Sequence, residues 1–304
     1  MKKPSFFIVG APKAGTTSVC ELLRSYEGVY IPSPAEPNFW CDDINGIDIK
    51  THFEWYIDHY FGKLPKRCNL IGEKSTWYLA SNNALLHIHK FNPDAKIIIM
   101  LRNPSDLVIS LHKENLYHGI EEIDSLEDAW NLQESRAEGL HLPKKCKYSR
   151  LLQYRDMASL GKQLENVYKV FPKEQIFVRT IEDLKYQKEF IKDLETFLSL
   201  HKSNKISIPM RNTRKSTNKG IFHRILTPPV SMVRLAEKAK SLLGIRSFGI
   251  GNRLHNIRVR LDDMCQQNDD HDIQIKRKLV GVFSDEVTKI EKLTSRNFSH
   301  WRHV

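Results

Sequence analysis

Cysteine is scarce and unpatterned. Cys20, Cys41, Cys68, Cys146 and Cys265 form no CxxC pair and are odd in number, which argues against a complete disulfide framework or a zinc ribbon and points to a reducing compartment. Long apolar runs are missing too. No stretch approaches the roughly 18 apolar residues of a membrane-spanning helix, and the run Phe6 to Val9 is too short for a secretion signal. The expectation is a cytoplasmic protein with no integral membrane segment. The 13 histidines contain no HExxH or comparable spacing, so no metal site is expected. No internal repeat and no Pro/Gly/Ser-rich linker divides the 304 residues, and one domain over 1–304 is the natural count.

Acids are almost absent from one long tract. The chain has 47 Lys+Arg against 36 Asp+Glu, a net +11, yet residues 201–260 hold fourteen Lys/Arg and a single acid, Glu237. The remainder is close to neutral. This is a balanced body with one basic tract rather than a uniformly basic surface, and an anionic ligand is implied. With 40% hydrophobic and 27% charged residues the composition is that of an ordinary globular protein, not a disordered tail.

What is present is an alternation of strand and helix signals. Phe6 to Val9 is a continuous apolar run ended by Gly10, and Val19, Leu22 and Leu23 then recur at helical spacing over Thr17 to Ser25. Lys96 to Leu101 reads as a buried parallel strand, broken by Arg102-Asn103-Pro104 before a helix. Met157, Leu160, Leu164, Val167 and Phe171 mark one helix face ahead of the strand Ile176 to Val178. Farther on, Thr227-Pro228-Pro229 opens a helix that stops at Gly244, and Leu279, Phe283, Val287, Ile290 and Leu293 mark a last one. The pattern predicts an α/β fold, P-loop-like, with a central parallel sheet flanked by helices.

Between the first strand and first helix lies Gly10-Ala11-Pro12-Lys13-Ala14-Gly15-Thr16-Thr17-Ser18. Backbone N–H groups and the helix dipole favour an anion at such a place. The GxxxxG spacing is that of a P-loop, but Thr16 stands where a nucleotide triphosphatase has its Lys. This weakens ATP as the ligand and leaves a P-loop kinase using ATP and Mg²⁺ as the alternative. The stretch Pro12, Lys13, Gly15, Thr16, Thr17, Ser18 resembles the PKxGTTS loop of sulfotransferases that use 3′-phosphoadenosine 5′-phosphosulfate (PAPS). The resemblance implies that Lys13 meets the bridging or sulfuryl oxygens, with Ala14 in the loop, and that Gly15 to Ser18 hold the 5′-phosphate.

A carrier with a separate 3′-phosphate needs a second anion site at another strand end. RNPSDLVIS, from Arg102 to Ser110, has the Arg and Ser eight residues apart that bind this phosphate in the same family, and an Arg fork suits phosphate. Pro34-Ala35-Glu36-Pro37-Asn38-Phe39-Trp40 resembles the KEPxFF stretch of bacterial and heparan-type members, with Ala35 replacing Lys and Trp40 the second Phe. The resemblance implies Glu36 as general base and favours a carbohydrate hydroxyl as acceptor, with a lipid or small molecule as the alternative. Gly72-Glu73-Lys74-Ser75-Thr76 resembles the EKSP segment, with Thr76 for Pro, and implies Lys74 near the transferred group. Glu73 and His112 are rival bases. Arg214, Lys215, Lys219 and Gly220 resemble a basic loop closing over the nucleotide. Trp55, Tyr56, Tyr60 and Trp77 are available to stack on a sugar or adenine, or to pack in the core. No nucleic acid partner and no metal are expected; the oligomeric state has no sequence signal.

Overall fold

The computed structural model describes residues 3–33, 35–201, 207–208 and 274–304. Five strands, β1 (Phe6–Gly10), β2 (Val29–Tyr30), β3 (Leu70–Lys74), β4 (Lys96–Leu101) and β5 (Ile176–Thr180), form one sheet in the order β2-β3-β1-β4-β5. Every neighbouring pair is parallel. Parallel strands are covered by helices on both faces and therefore carry unbroken apolar runs; β1 is buried throughout and β4 is buried after Lys96. Phe6 lies opposite Gly72 on β3. A Cβ on Gly72 would sit 2.0 Å from the Phe6 ring, so the close approach of side chain to neighbouring strand requires glycine.

The described helices include α1 (Thr16–Arg24), α2 (Asp42–Asn45), α3 (Ile49–Phe61), α4 (Ala84–Phe91), α5 (Pro104–His118), α6 (Leu126–Asn131), α7 (Gln133–Ala137), α8 (Tyr154–Met157), α9 (Leu160–Val170), α10 (Gln187–Leu198) and α11 (Ser284–Thr294). α1 starts one residue before the sequence-based boundary and buries the expected Val19, Leu22 and Leu23. α5 begins with Pro104 in its first turn, and the Asn103 side chain accepts from the Ser105 N–H, the cap that lets a helix start abruptly after a strand.

Two expected helices differ in detail. The face from Met157 to Phe171 is shared among α8, α9 and the residue after α9, and across the break Gln163 Nε2 donates to the Asp156 carbonyl at 2.7 Å. The last helix is interrupted at Phe283, with helix over 274–282 before it and α11 after it. Leu279, Phe283, Val287 and Ile290 are buried all the same. α11 lies on α9 where Gly161 leaves room: a Cβ there would be 2.5 Å from the Glu286 carbonyl. The helix expected from Thr227 lies outside the described residues, and no described helix is long and apolar enough to cross a membrane.

Candidate active site

The carboxyl ends of four neighbouring strands supply the candidate residues. β1 runs into the loop Ala11 to Gly15, and Ala11 N–H donates to the Met100 carbonyl of β4 at 2.7 Å, carrying the β1–β4 pairing into the loop. Gly15 has φ 85° and precedes α1, whose N-terminus has no side-chain cap. The first-turn amides of α1 are therefore placed as anion donors. Thr17 is exposed and Ser18 half-buried at this end, while Thr16 is buried. Ala14 is buried under the loop.

Arg102 follows the end of β4 and donates from Nη1 to the Lys13 carbonyl at 3.1 Å. The two phosphate turns expected from the sequence, 89 residues apart, are thus in direct contact. Ser110 is half-buried two turns along α5. Lys13 itself has φ 58° and points its ammonium at Glu114 Oε1, 3.1 Å away. Glu114 was not anticipated, although it lies four residues beyond Ser110 and so on the same helix face.

β3 ends in Lys74, which is almost fully buried. Its Nζ pairs with Glu36 Oε1 and lies 3.5 Å from Thr17 Oγ1. Lys74 therefore links the candidate base to the phosphate loop. Thr76 Oγ1 donates to Glu36 Oε2 at 3.1 Å, so both carboxylate oxygens are oriented. The segment bearing Glu36 follows β2 and is sewn to the end of β3: Glu36 N–H to the Lys74 carbonyl at 2.8 Å, Asn38 N–H to Ser75 Oγ at 3.0 Å, and Phe39 N–H to Tyr78 Oη at 2.9 Å. Glu36 and Asn38 take φ of 76° and 49°, a conformation that persists where the surroundings over-determine it.

The rival bases have other duties. Glu73 is fully buried and accepts from Tyr56 and Tyr78 hydroxyls and, at 3.1 Å, from Ser75 Oγ. Burial pushes its carboxyl up, against these three hydrogen bonds, which pull it down. It supports the floor of the site and is not a surface pair with Lys74. His112 is buried with Nε2 2.9 Å from the Ile123 carbonyl. Among the aromatic candidates Tyr56 is core, stacked on Phe39 with ring centroids 4.1 Å apart. Trp55 is 54% exposed on α3, and Trp77 is half-buried beside Thr76 and meets Tyr148 edge-on. Arg214, Lys215, Lys219, Gly220 and the basic tract from 209 to 260 lie outside the described residues. Among the described residues no group of three or more His, Cys, Asp or Glu could hold a metal ion.

A family model described as a sulfotransferase domain matches residues 3–220. The chain belongs to the sulfotransferase-domain family. It is 27% identical to carbohydrate sulfotransferase 15 of Mus musculus, over 59% of this chain and 40% of that protein. It is 28% identical to the bifunctional heparan sulfate N-deacetylase/N-sulfotransferase 3 of Mus musculus, over 38% of this chain and 13% of that protein. The chain thus spans less than half the length of these relatives. A crystal structure of a sulfotransferase from Alicyclobacillus acidocaldarius superimposes with TM-score 0.66, 21% identity and full coverage of both chains. This likeness supports the P-loop-like α/β architecture of the sulfotransferase domain.

Proposed function

We propose that this sulfotransferase domain, acting as one unit over 1–304, transfers a sulfuryl group from PAPS to an acceptor hydroxyl, with a carbohydrate as the favoured acceptor. The observation that carries the reading is the chain of contacts Arg102–Lys13 loop and Thr17–Lys74–Glu36 across adjacent strand ends. The donor set fits the nucleotide: uncapped helix amides with Thr16, Thr17 and Ser18 for the 5′-phosphosulfate, and Arg102 with Ser110 for the 3′-phosphate. Arg214, Lys215, Lys219 and Gly220 belong to the same reading on sequence grounds.

PAPS supplies an electrophilic sulfur with a phosphate leaving group. The bond from sulfur to the acceptor oxygen forms as the bond to the leaving phosphate breaks, and the acceptor proton goes to Glu36. Glu36 is suited to this because Lys74 and Thr76 fix its carboxylate in place. Lys74 is an ammonium group held beside the loop by Glu36 and Thr17, and a preorganised cation is worth most where charge develops on the leaving oxygen; Lys13, on the loop itself, supplies a second ammonium. Displacing Lys13 from Glu114 toward the nucleotide requires only a side-chain rotation, since both groups are about one-third exposed.

Support for a carbohydrate comes from the Glu36 segment and from relatives named for carbohydrate and heparan sulfate. A metal-independent reaction, no nucleic acid partner and a cytoplasmic setting complete the reading; the four described cysteines form no disulfide with one another. The test is a labelled-donor screen against acceptors of several classes. Transfer to a glycan hydroxyl is expected; transfer from ATP with Mg²⁺ instead would overturn the assignment in favour of a kinase.

A further inference from the structure

The family match stops at residue 220, yet the described residues 274–304 reach both phosphate turns at one remove. Arg296, just past α11, donates from Nη1 to Asp183 Oδ2 at 2.8 Å and from Nη2 to Asp183 Oδ1 at 2.7 Å. This is a bidentate fork, the strongest geometry for such a pair. Asp183 Oδ2 also accepts the Thr180 N–H at 2.7 Å, closing a capping box on the 3-10 turn Ile181–Lys185 that leaves β5. Burial opposes the Asp183 charge, but the Arg296 and Thr180 hydrogen bonds hold its carboxyl below the usual range.

The same turn carries the side chains that cover Gly15. A Cβ on Gly15 would lie 2.7 Å from Leu184 Cδ1 and 3.6 Å from Ile181 Cγ1. Arg296 is thus tied to the turn that packs against Gly15. At the other turn, the Trp301 carbonyl accepts from Asn103 Nδ2 at 3.1 Å. Asn103 directly follows Arg102 and caps α5.

The tail is itself anchored. Phe298 N–H and Arg302 Nη2 donate to the two oxygens of Glu291 at 2.7 and 2.8 Å, and Trp301 stacks on Phe298 with centroids 4.4 Å apart. α11 is tied to α9 by Lys162 N–H donating to Glu286 Oε2 at 2.8 Å. The tail thus reaches both turns from a fixed base.

We propose that Arg296–Arg302 is a positioning staple for the donor site, setting the Gly15 loop through Asp183 and Leu184 and the Arg102 turn through Asn103. This rests on the donor reading above. The physical reason is preorganisation: a site made of backbone amides and an Arg fork binds only when the chain already holds them in place. Arg296 and Asp183 act here through the Ile181–Lys185 turn and Leu184, which makes them positioning residues in this proposal.

The experiment is calorimetric titration of the full chain with 3′-phosphoadenosine 5′-phosphate, alongside steady-state kinetics. Arg296→Ala is expected to bind the bisphosphate about tenfold more weakly, with donor KM raised in proportion. Its kcat at saturating donor should stay within about twofold, and Arg296→Lys should recover part of the affinity. Where Arg296→Ala does not fold, Asp183→Asn, which keeps the Thr180 cap and removes the charge, is expected to weaken binding about threefold. A folded Arg296→Ala with unchanged affinity, whatever its melting temperature, overturns the staple; so does unchanged affinity in Asp183→Asn when that variant stands in. A wild-type chain that does not bind the bisphosphate overturns the donor reading itself, and the staple with it.

Discussion

Glu36 combines a left-handed backbone, a carboxylate held at both oxygens and partial exposure. Its replacement by Gln keeps size and the Thr76 contact but removes the proton acceptor. Turnover by Glu36→Gln is therefore expected to fall about 10²- to 10⁴-fold, while calorimetry finds affinity for the bisphosphate nearly unchanged. Equal loss of both would take Glu36 out of the base role. Gly15 poses the converse case. At φ 85°, with Leu184 within 2.7 Å of any Cβ, Gly15→Ala must either strain the loop or displace the turn beneath it. It is expected to weaken bisphosphate binding more than about tenfold while costing on the order of 1–2 kcal/mol in chemical denaturation. Wild-type affinity would show that the loop geometry is not needed. Lys13, Glu36, Lys74 and Arg102 stood out as candidates because motif spacing names residue types, and the structure brings them together. Glu114 did not, since nothing in a linear motif says that the helix after the neighbouring strand β4 presents its carboxylate to the loop.

Elements depend on buried pairs that periodicity does not reveal. Arg136 of α7 and Glu121, in the loop after α5, are both essentially fully buried and joined at 2.6 and 2.8 Å. Glu121 also accepts from Tyr154 Oη at 2.9 Å and from the Ile123 N–H at 3.0 Å. Burial works against the Glu121 charge, but the Arg136 and backbone hydrogen bonds prevail and hold the carboxyl below its ordinary value. Removing one partner strands the other, so Glu121→Ala is expected to lose about 3–5 kcal/mol. The sign with pH follows from the lowered value. The stabilisation is complete above the unfolded carboxylate pKa of about 4.3 and is lost as pH falls through the lower folded value. Urea titrations of wild type and Glu121→Gln should differ at pH 7 and converge in strong acid; a constant gap would contradict this. A similar hidden contact spans the α8–α9 break. Leu160, Leu164 and Val167 keep the predicted face, but a Gln163 side chain taking a backbone carbonyl leaves no trace in apolar spacing.

At the scale of the molecule, the order β2-β3-β1-β4 sets the Glu36 segment, Lys74, the phosphate loop and Arg102 side by side at one sheet edge. Ligands bind at such carboxyl ends, where neighbouring connections diverge. If this edge holds the doubly phosphorylated nucleotide, a hundredfold excess over Kd adds about 2.7 kcal/mol to folding stability, a rise in melting temperature of about 4 °C for a chain of this length. ATP with Mg²⁺ at the same concentration is expected to move it by less than about 1 °C, and an equal shift would argue for a general nucleotide site.

Local pattern determined the parallel α/β class, the position of both candidate anion turns and the identity of the residues around them, because strand burial and helix starts depend on near neighbours in the chain. Only the tertiary structure told the surroundings of the two candidate carboxylates apart. Glu36 and Glu73 both lie in motif-like stretches, but packing seals Glu73 beneath Tyr56 and Tyr78 and leaves Glu36 at the rim. The coupling of Arg296 to Asp183 across 113 residues is of the same kind. Desolvation and charge pairing belong to whichever elements become neighbours in space, and no reading along the chain contains that information.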